Sequence, residues 1–164
     1  MEQISVKAVD ILDACPEDVY ATIADYHEGH PGILPKENLY DLQVEQGGYG
    51  AGTIIRFKAR ILGAEQSFHH RVSEPEPGRV LVEQDIEAGR NVTTTFTVTP
   101  LAGGKKSQVG IRTTMNRSTG FKGLLERLLV PGANALVYRK ELKLLEAVAQ
   151  RRAQQAAINV ASVE

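Results

Sequence analysis

The chain has 164 residues, 19 Lys and Arg against 20 Asp and Glu, a net charge of −1 and one cysteine. That length suits one hydrophobic core, the interleaved charges leave no basic footprint for nucleic acid, and a lone cysteine can staple nothing within the chain. No apolar run approaches the ~20 residues that cross a bilayer, and Met1 to Val6 lacks the basic-then-apolar pattern of a signal peptide, so a cytoplasmic domain without stable membrane insertion is expected.

Ile4 to Asp13 is rich in β-branched residues and reads as a first strand, apolar on both phases and therefore covered on one side and partly on the other. Pro16, Glu17 and Asp18 then start a helix, with proline in the first turn and carboxylates at the positive end of the dipole; Val19, Tyr20, Ile23 and Ala24 give it an apolar face to about Tyr26. Cys15 sits at the strand end beside Pro16, which does not prepare it as a nucleophile. Between Asp25 and Pro35, two glycines and two prolines permit at most a short second helix. His27 and His30 invite a metal reading, but neither stands on a rigid scaffold and no third ligand follows at metal spacing, so a polar connection is expected and no metal.

Leu39 to Glu45 is a strand, and Gly47 to Gly52 is the turn after it. No Lys-Ser/Thr follows this glycine-rich run and Thr53 to Leu62 is again a strand, so a hairpin turn is expected rather than a phosphate loop. The period-two alternation then continues. Ile55, Phe57, Ala59 and Ile61 share one phase, Gln66, Phe68, His70 and Val72 the next, then Val80, Val82, Gln84 and Ile86. Beyond a turn at Gly89-Arg90 come Val92, Thr94, Phe96 and Val98, and finally Val109, Ile111, Thr113 and Met115. These phases are expected to face inward. Leu81, Glu83 and Asp85 are expected on the wet side, with Glu83 or Asp85 pairing across strands with Arg56 or Arg60.

The last element is a helix from Gly120 to about Arg152. Phe121, Leu124, Leu125, Leu128 and Leu129, then Tyr138, Leu142, Leu145 and Val148, form one broad apolar stripe, which needs the hollow side of the sheet as its partner. Pro131-Gly132 predicts a kink or a short break. Residues 1–152 read as one α+β domain, and residues 153–164 as a tail that frays.

This order resembles the helix-grip fold of the START-like or Bet v 1-like (SRPBCC) superfamily, and within it the polyketide cyclase/dehydrase and lipid-transport group. The likeness is carried by Ala14 to Tyr20, by Asp25-Tyr26 through Leu34-Pro35, by the Gly50-Ala51-Gly52-Thr53 turn and by Tyr138 to Leu145. It implies an antiparallel sheet of about seven strands wrapped around the last helix, and a cavity between them for an apolar or amphipathic small molecule. It carries over no catalytic residues.

The residues themselves add a polar set on the inner phase, Gln66, His70, Gln84, Thr94 and Thr113, none of them a carboxylate or a lysine. A buried unpaired amide or hydroxyl costs ~1–3 kcal/mol, so these groups bond to one another, to water or to a ligand with a polar end. The expected ligand-contacting residues are Tyr26, Phe57, Gln66, Phe68, His70, Val82, Gln84, Thr94, Phe96, Ile111, Thr113, Met115, Leu128 and Tyr138, with no cofactor. His70 alone on this surface titrates near neutrality and is the candidate general base, with Tyr26 or Tyr138 as donors. Three functions stay open: binding or carriage of a hydrophobic or amphipathic molecule, an aromatic polyketide cyclase/dehydrase using His70, and a protein-interaction domain whose helix fills the space.

Overall fold

The computed structural model describes residues 3–87, 91–116 and 120–163, the side chains of residues 61 and 120–130 excepted. Its elements are β1 (Gln3–Leu12), α1 (Pro16–Ala24), α2 (Gly29–Ile33), β2 (Leu39–Gln46), β3 (Ile54–Ile61), β4 (Ala64–Glu76), β5 (Val80–Asp85), β6 (Thr93–Leu101), a 3-10 turn at Ala102–Gly104, β7 (Lys106–Asn116) and α3 (Gly120–Ala161). The strands form one seven-stranded antiparallel sheet in the order β1-β7-β6-β5-β4-β3-β2. On its hollow side α3 packs against β1, α1, α2 and β3. This is the α+β helix-grip architecture.

The meander follows from turn chemistry and alternation. At the β3–β4 hairpin, Leu62 and Gly63 have φ of 52° and 80°, the left-handed pair that a two-residue primed turn requires. That turn sets Phe57 opposite Phe68 and Ile55 opposite His70. On the inner face Ile55, Val72, Leu81, Phe96, Val98, Val109 and Ile111 are buried, and from the helices Val19, Ile23, Leu142, Leu145 and Ala149 close on them.

Four expectations are corrected. The first helix stops at Ala24 rather than Tyr26, because the Gly47 to Gly52 turn captures the backbone there: Tyr26 N–H donates to the Gly48 carbonyl at 2.9 Å, and Gly50 N–H to the Ala24 carbonyl at 2.9 Å. Tyr26 is thereby turned into the core. Secondly, α3 passes through Pro131 as one helix, without the short break that was one of the two expectations there, and continues past Arg152 to Ala161. An established helix propagates at little cost through Ala, Gln and Arg, although every described residue from Ala153 on is exposed. Thirdly, the outer phase of β1 is bare among the described residues, with Val9 and Ile11 exposed.

The fourth correction matters most. On β5 the inner residues are Leu81, Glu83 and Asp85, all buried, while Val82 faces outward opposite Ser73 and Thr95, and Gln84 is exposed. Register fixes this, since Leu81 lies opposite Phe96 and Glu83 opposite Val72 and Thr94. Glu83 therefore cannot pair with surface arginines. Arg56 instead meets Glu45 and Glu87, and Arg60 meets Glu65. The Gly89-Arg90 turn, and the side chains of Phe121, Leu124, Leu125, Leu128 and Leu129, lie outside the described residues.

Candidate functional site

A carboxylate on the inner face must have partners, and Glu83 has three. The Tyr26 hydroxyl donates to Glu83 Oε1 at 2.6 Å. His30 Nε2 stands 3.5 Å from the same oxygen, and His70 Nδ1 stands 3.7 Å from Oε2. These come from different elements: Tyr26 from the segment after α1, His30 from α2, His70 from β4. α2 can approach α1 this closely because a Cβ at Gly29 would lie 2.5 Å from the Thr22 carbonyl oxygen; only glycine fits. The His30 ring then stacks on Tyr26 with centroids 4.4 Å apart and meets Phe96 edge-on at 5.7 Å.

Hydrogen-bond chemistry fixes one proton. His30 Nδ1 lies 2.7 Å from the Ile23 carbonyl, which can only accept, so Nδ1 carries hydrogen. The other nitrogen, Nε2, faces Glu83. Burial pushes the Glu83 carboxyl up, but His70, His30 and the Tyr26 hydroxyl outweigh it and hold the group below its ordinary value. Glu83 is the ionised member.

The opposite case faces it from α3. Glu141 is buried, and that burial, together with the Glu83 charge, pushes its carboxyl well above the ordinary value. Both effects favour its protonated form. One turn earlier, Tyr138 accepts or donates at 2.5 Å to Thr113 Oγ1, which is also 2.7 Å from Thr94 Oγ1. Burial pushes both the Tyr138 and Tyr26 phenols up, so they remain donors.

These groups border a cavity of about 70 Å³. Leu34, Leu39, Leu42, Ile55, Phe57 and Phe96 form its apolar wall; His30, Glu83, Thr94, Tyr138 and Glu141 are the polar part. At the ~30 Å³ that a water takes up in the liquid it holds about two waters. It is smaller than the ~300–1,000 Å³ of pockets for drug-sized ligands, so anything beyond a small head group enters by pushing wall side chains outward.

Of the residues expected to contact a ligand, Phe57, Thr94, Phe96 and Tyr138 border this cavity. Tyr26 and Thr113 stand behind its polar part, bonded to Glu83 and Tyr138. His70 is buried edge-on to Phe57 and Phe68, with ring centroids at 5.0 and 5.6 Å. Ile111 belongs to the closed core and Met115 is half-buried near the end of β7. Gln66 is exposed on β4, and Val82 and Gln84 face the other way. Leu128 lies outside the described side chains.

The sequence reading missed His30, Glu83 and Glu141. Glu141 had a visible signal, a carboxylate one turn after Tyr138 and beside Leu142 in an apolar stripe; Glu83 shared its phase with Leu81. Cys15 donates to Asp18 at 3.0 Å and burial raises its thiol, far from a prepared nucleophile. Among the described residues no cluster of three or more His, Cys, Asp or Glu could hold a metal ion, and no helix is long and apolar enough to cross a membrane.

Residues 3–150 match the family described as polyketide cyclase / dehydrase and lipid transport. The chain belongs to that family. No curated protein matches it by sequence. Among solved structures it is similar to KanY protein, with 27% identity, a TM-score of 0.77 and coverage of 92% of this chain and 99% of that one. The aromatase/cyclase Zhui from Streptomyces sp. R1128 shares the fold at 16% identity and TM-score 0.75, covering 93% and 96%. A START superfamily protein from Mycobacterium smegmatis does so at 15% and 0.68, covering 90% and 97%. Family and fold together support a hydrophobic ligand-binding or cyclase role.

Proposed function

We propose that the chain binds a small, mostly apolar molecule in the cavity under α3, with the molecule's polar end held against Glu83, Glu141 and Tyr138. One observation supports this above the rest: a cavity with an apolar wall ends in buried carboxyls that are costly to bury without a role. The test is NMR titration with small alcohols and ketones. The reading predicts saturable shifts at Thr94, Phe96 and Tyr138; unmoved resonances there, up to the solubility of the probes, overturn it.

A second reading, cyclase/dehydrase chemistry, is favoured by the opposite directions in which the Glu83 and Glu141 carboxyls are pushed. Pairs of titratable groups pushed apart in this way suit acid and base roles. In this reading Glu83 rather than His70 takes a proton from the carbon beside a carbonyl, while the Glu141 carboxylic acid or the Tyr138 hydroxyl donates to the developing enolate oxygen. Deuterium uptake beside the carbonyl of a small ketone measures that step directly. Glu83→Gln then slows uptake ~100-fold or more. Uptake no faster than buffer alone, with the ketone demonstrably bound, leaves the binding reading and removes the catalytic one.

A further inference from the structure

The cavity's charges are unevenly distributed. Two carboxyls, Glu83 on β5 and Glu141 on α3, border the same small space, and among the described residues bordering it there is no Lys or Arg. The rest of its lining offers aromatic faces, Phe57, Phe96 and Tyr138, whose rings attract cations. An anion placed there would be a further negative charge in a poorly solvated space, and a cation would be compensated from two sides.

His70 is 1% exposed, and among the described residues neither of its ring nitrogens has a hydrogen-bond partner, although Nδ1 is aimed at Glu83 across 3.7 Å. A buried polar group in that state needs a physical reason, and the Glu83 carboxylate that it faces is the one within reach. The titratable groups facing the site are Glu83 and Asp85 from β5, His70 from β4, His30 from α2, Tyr26 from the segment after α1, and Tyr138 and Glu141 from α3. Without a ligand, Glu83 accepts from Tyr26 and is faced by the His30 and His70 rings, while burial and the Glu83 charge favour a proton on Glu141. A cationic ligand can take the place of that proton.

We propose that the cavity selects ligands by charge: it takes an amphiphile with a protonated amine head between Glu83 and Glu141, and rejects carboxylates. This rests on the binding reading above. The amine brings one positive charge and a proton leaves the cluster to bulk water, most directly the Glu141 carboxyl proton, so the charge of the site is unchanged. Linkage then requires amine affinity to rise with pH while the affinity of a neutral analogue stays flat.

The test uses the whole chain and three probes of one size: n-butylamine, 1-butanol and butanoate, titrated by NMR at pH 6 and pH 8 and followed at Phe96 and Tyr138. The expected order at pH 8 is butylamine at least ~10-fold tighter than butanol, with butanoate weakest, and butylamine tightening ~3-fold or more from pH 6 to pH 8. Glu141→Gln, which mimics the neutral acid, keeps butanol binding and abolishes the pH dependence for the amine. Butanoate binding as tightly as butylamine, or an amine preference with the same pH dependence in Glu141→Gln, overturns the proposal while butanol binding still upholds the cavity as a ligand site. If none of the three binds, both fall.

Discussion

α3 crosses two regions of the same inner surface and treats them differently. Toward β1 and α1, Leu142, Leu145 and Ala149 are fully buried with Leu12, Val19, Ile23 and Val109, while Glu146 and Gln150 bond the Asp13 backbone at the exposed edge of that contact. One turn earlier, toward β3 to β6, Tyr138 and Glu141 stand over a space that Glu83, His30 and Thr94 border from the other side. The first region stabilises through dispersion and apolar burial. The second holds ionised and neutral carboxyls out of bulk water and keeps room for solvent, which costs stability. A helix can do both because residues three and four apart share a face, so the change from Glu141 to Leu145 spans a single turn.

The comparison is broken most severely by removing the centre of the polar region. Glu83→Ala leaves the Tyr26 hydroxyl without its acceptor and His30 and His70 without the carboxylate they face, and loss of one partner from a buried charged set costs ~3–5 kcal/mol. Urea denaturation at pH 7 measures it; a loss under ~1 kcal/mol would mean that the cluster is not one linked unit. On the sealed side, Leu145→Ala opens a hole where no water can compensate and costs ~2–5 kcal/mol. The same truncation at half-buried Leu42, on the wall of the existing cavity, costs ~1 kcal/mol. Equal losses at the two leucines would remove the distinction between a packed region and an open one.

The sequence made the sealed region legible and hid the polar one. The stripe of Tyr138, Leu142, Leu145 and Val148, and the inner phases of β3, β4, β6 and β7, could be read from periodicity because apolar burial has no competitor there. β5 could not. Its Val80, Val82 and Ile86 outweigh Leu81 on any hydrophobic count, yet the face turned inward is the one with Glu83, because Tyr26, His30 and His70 wait for it from three distant segments. Pattern reading assigns a carboxylate to water unless its partners are known. Those partners are created by the fold: His30 reaches the site only because Gly29 lets α2 approach α1, and Tyr26 only because the turn around Gly48 ends α1 early.

The two carboxyls should pull stability in opposite directions with pH. Glu83 is held below the ordinary 4.5, so its contribution is present above that value and is lost as pH falls through the folded one. Glu141 is held well above 4.5, so the folded state binds the extra proton, and its favourable share is complete below 4.5 and is lost as pH rises toward the folded value. Wild type should therefore lose stability above pH 4.5 relative to Glu141→Gln, with a slope no steeper than ~1.4 kcal/mol per pH unit. Parallel pH profiles for the two proteins would show that Glu141 is not the raised group.

The smallest expected effect asks whether the open region is wet. Thr113→Val keeps shape but removes the hydroxyl that links Thr94 and Tyr138, both of which border the cavity. If water occupies the cavity, it takes over both bonds and the loss stays near ~1 kcal/mol, the usual net worth of one hydrogen bond. In a dry cavity two hydroxyls would be stranded, at ~1–3 kcal/mol each. The same substitution in a sealed core would always give the larger figure. A small loss at Thr113, beside a large one at Leu145, would therefore locate solvent under one turn of α3 and exclude it from the next.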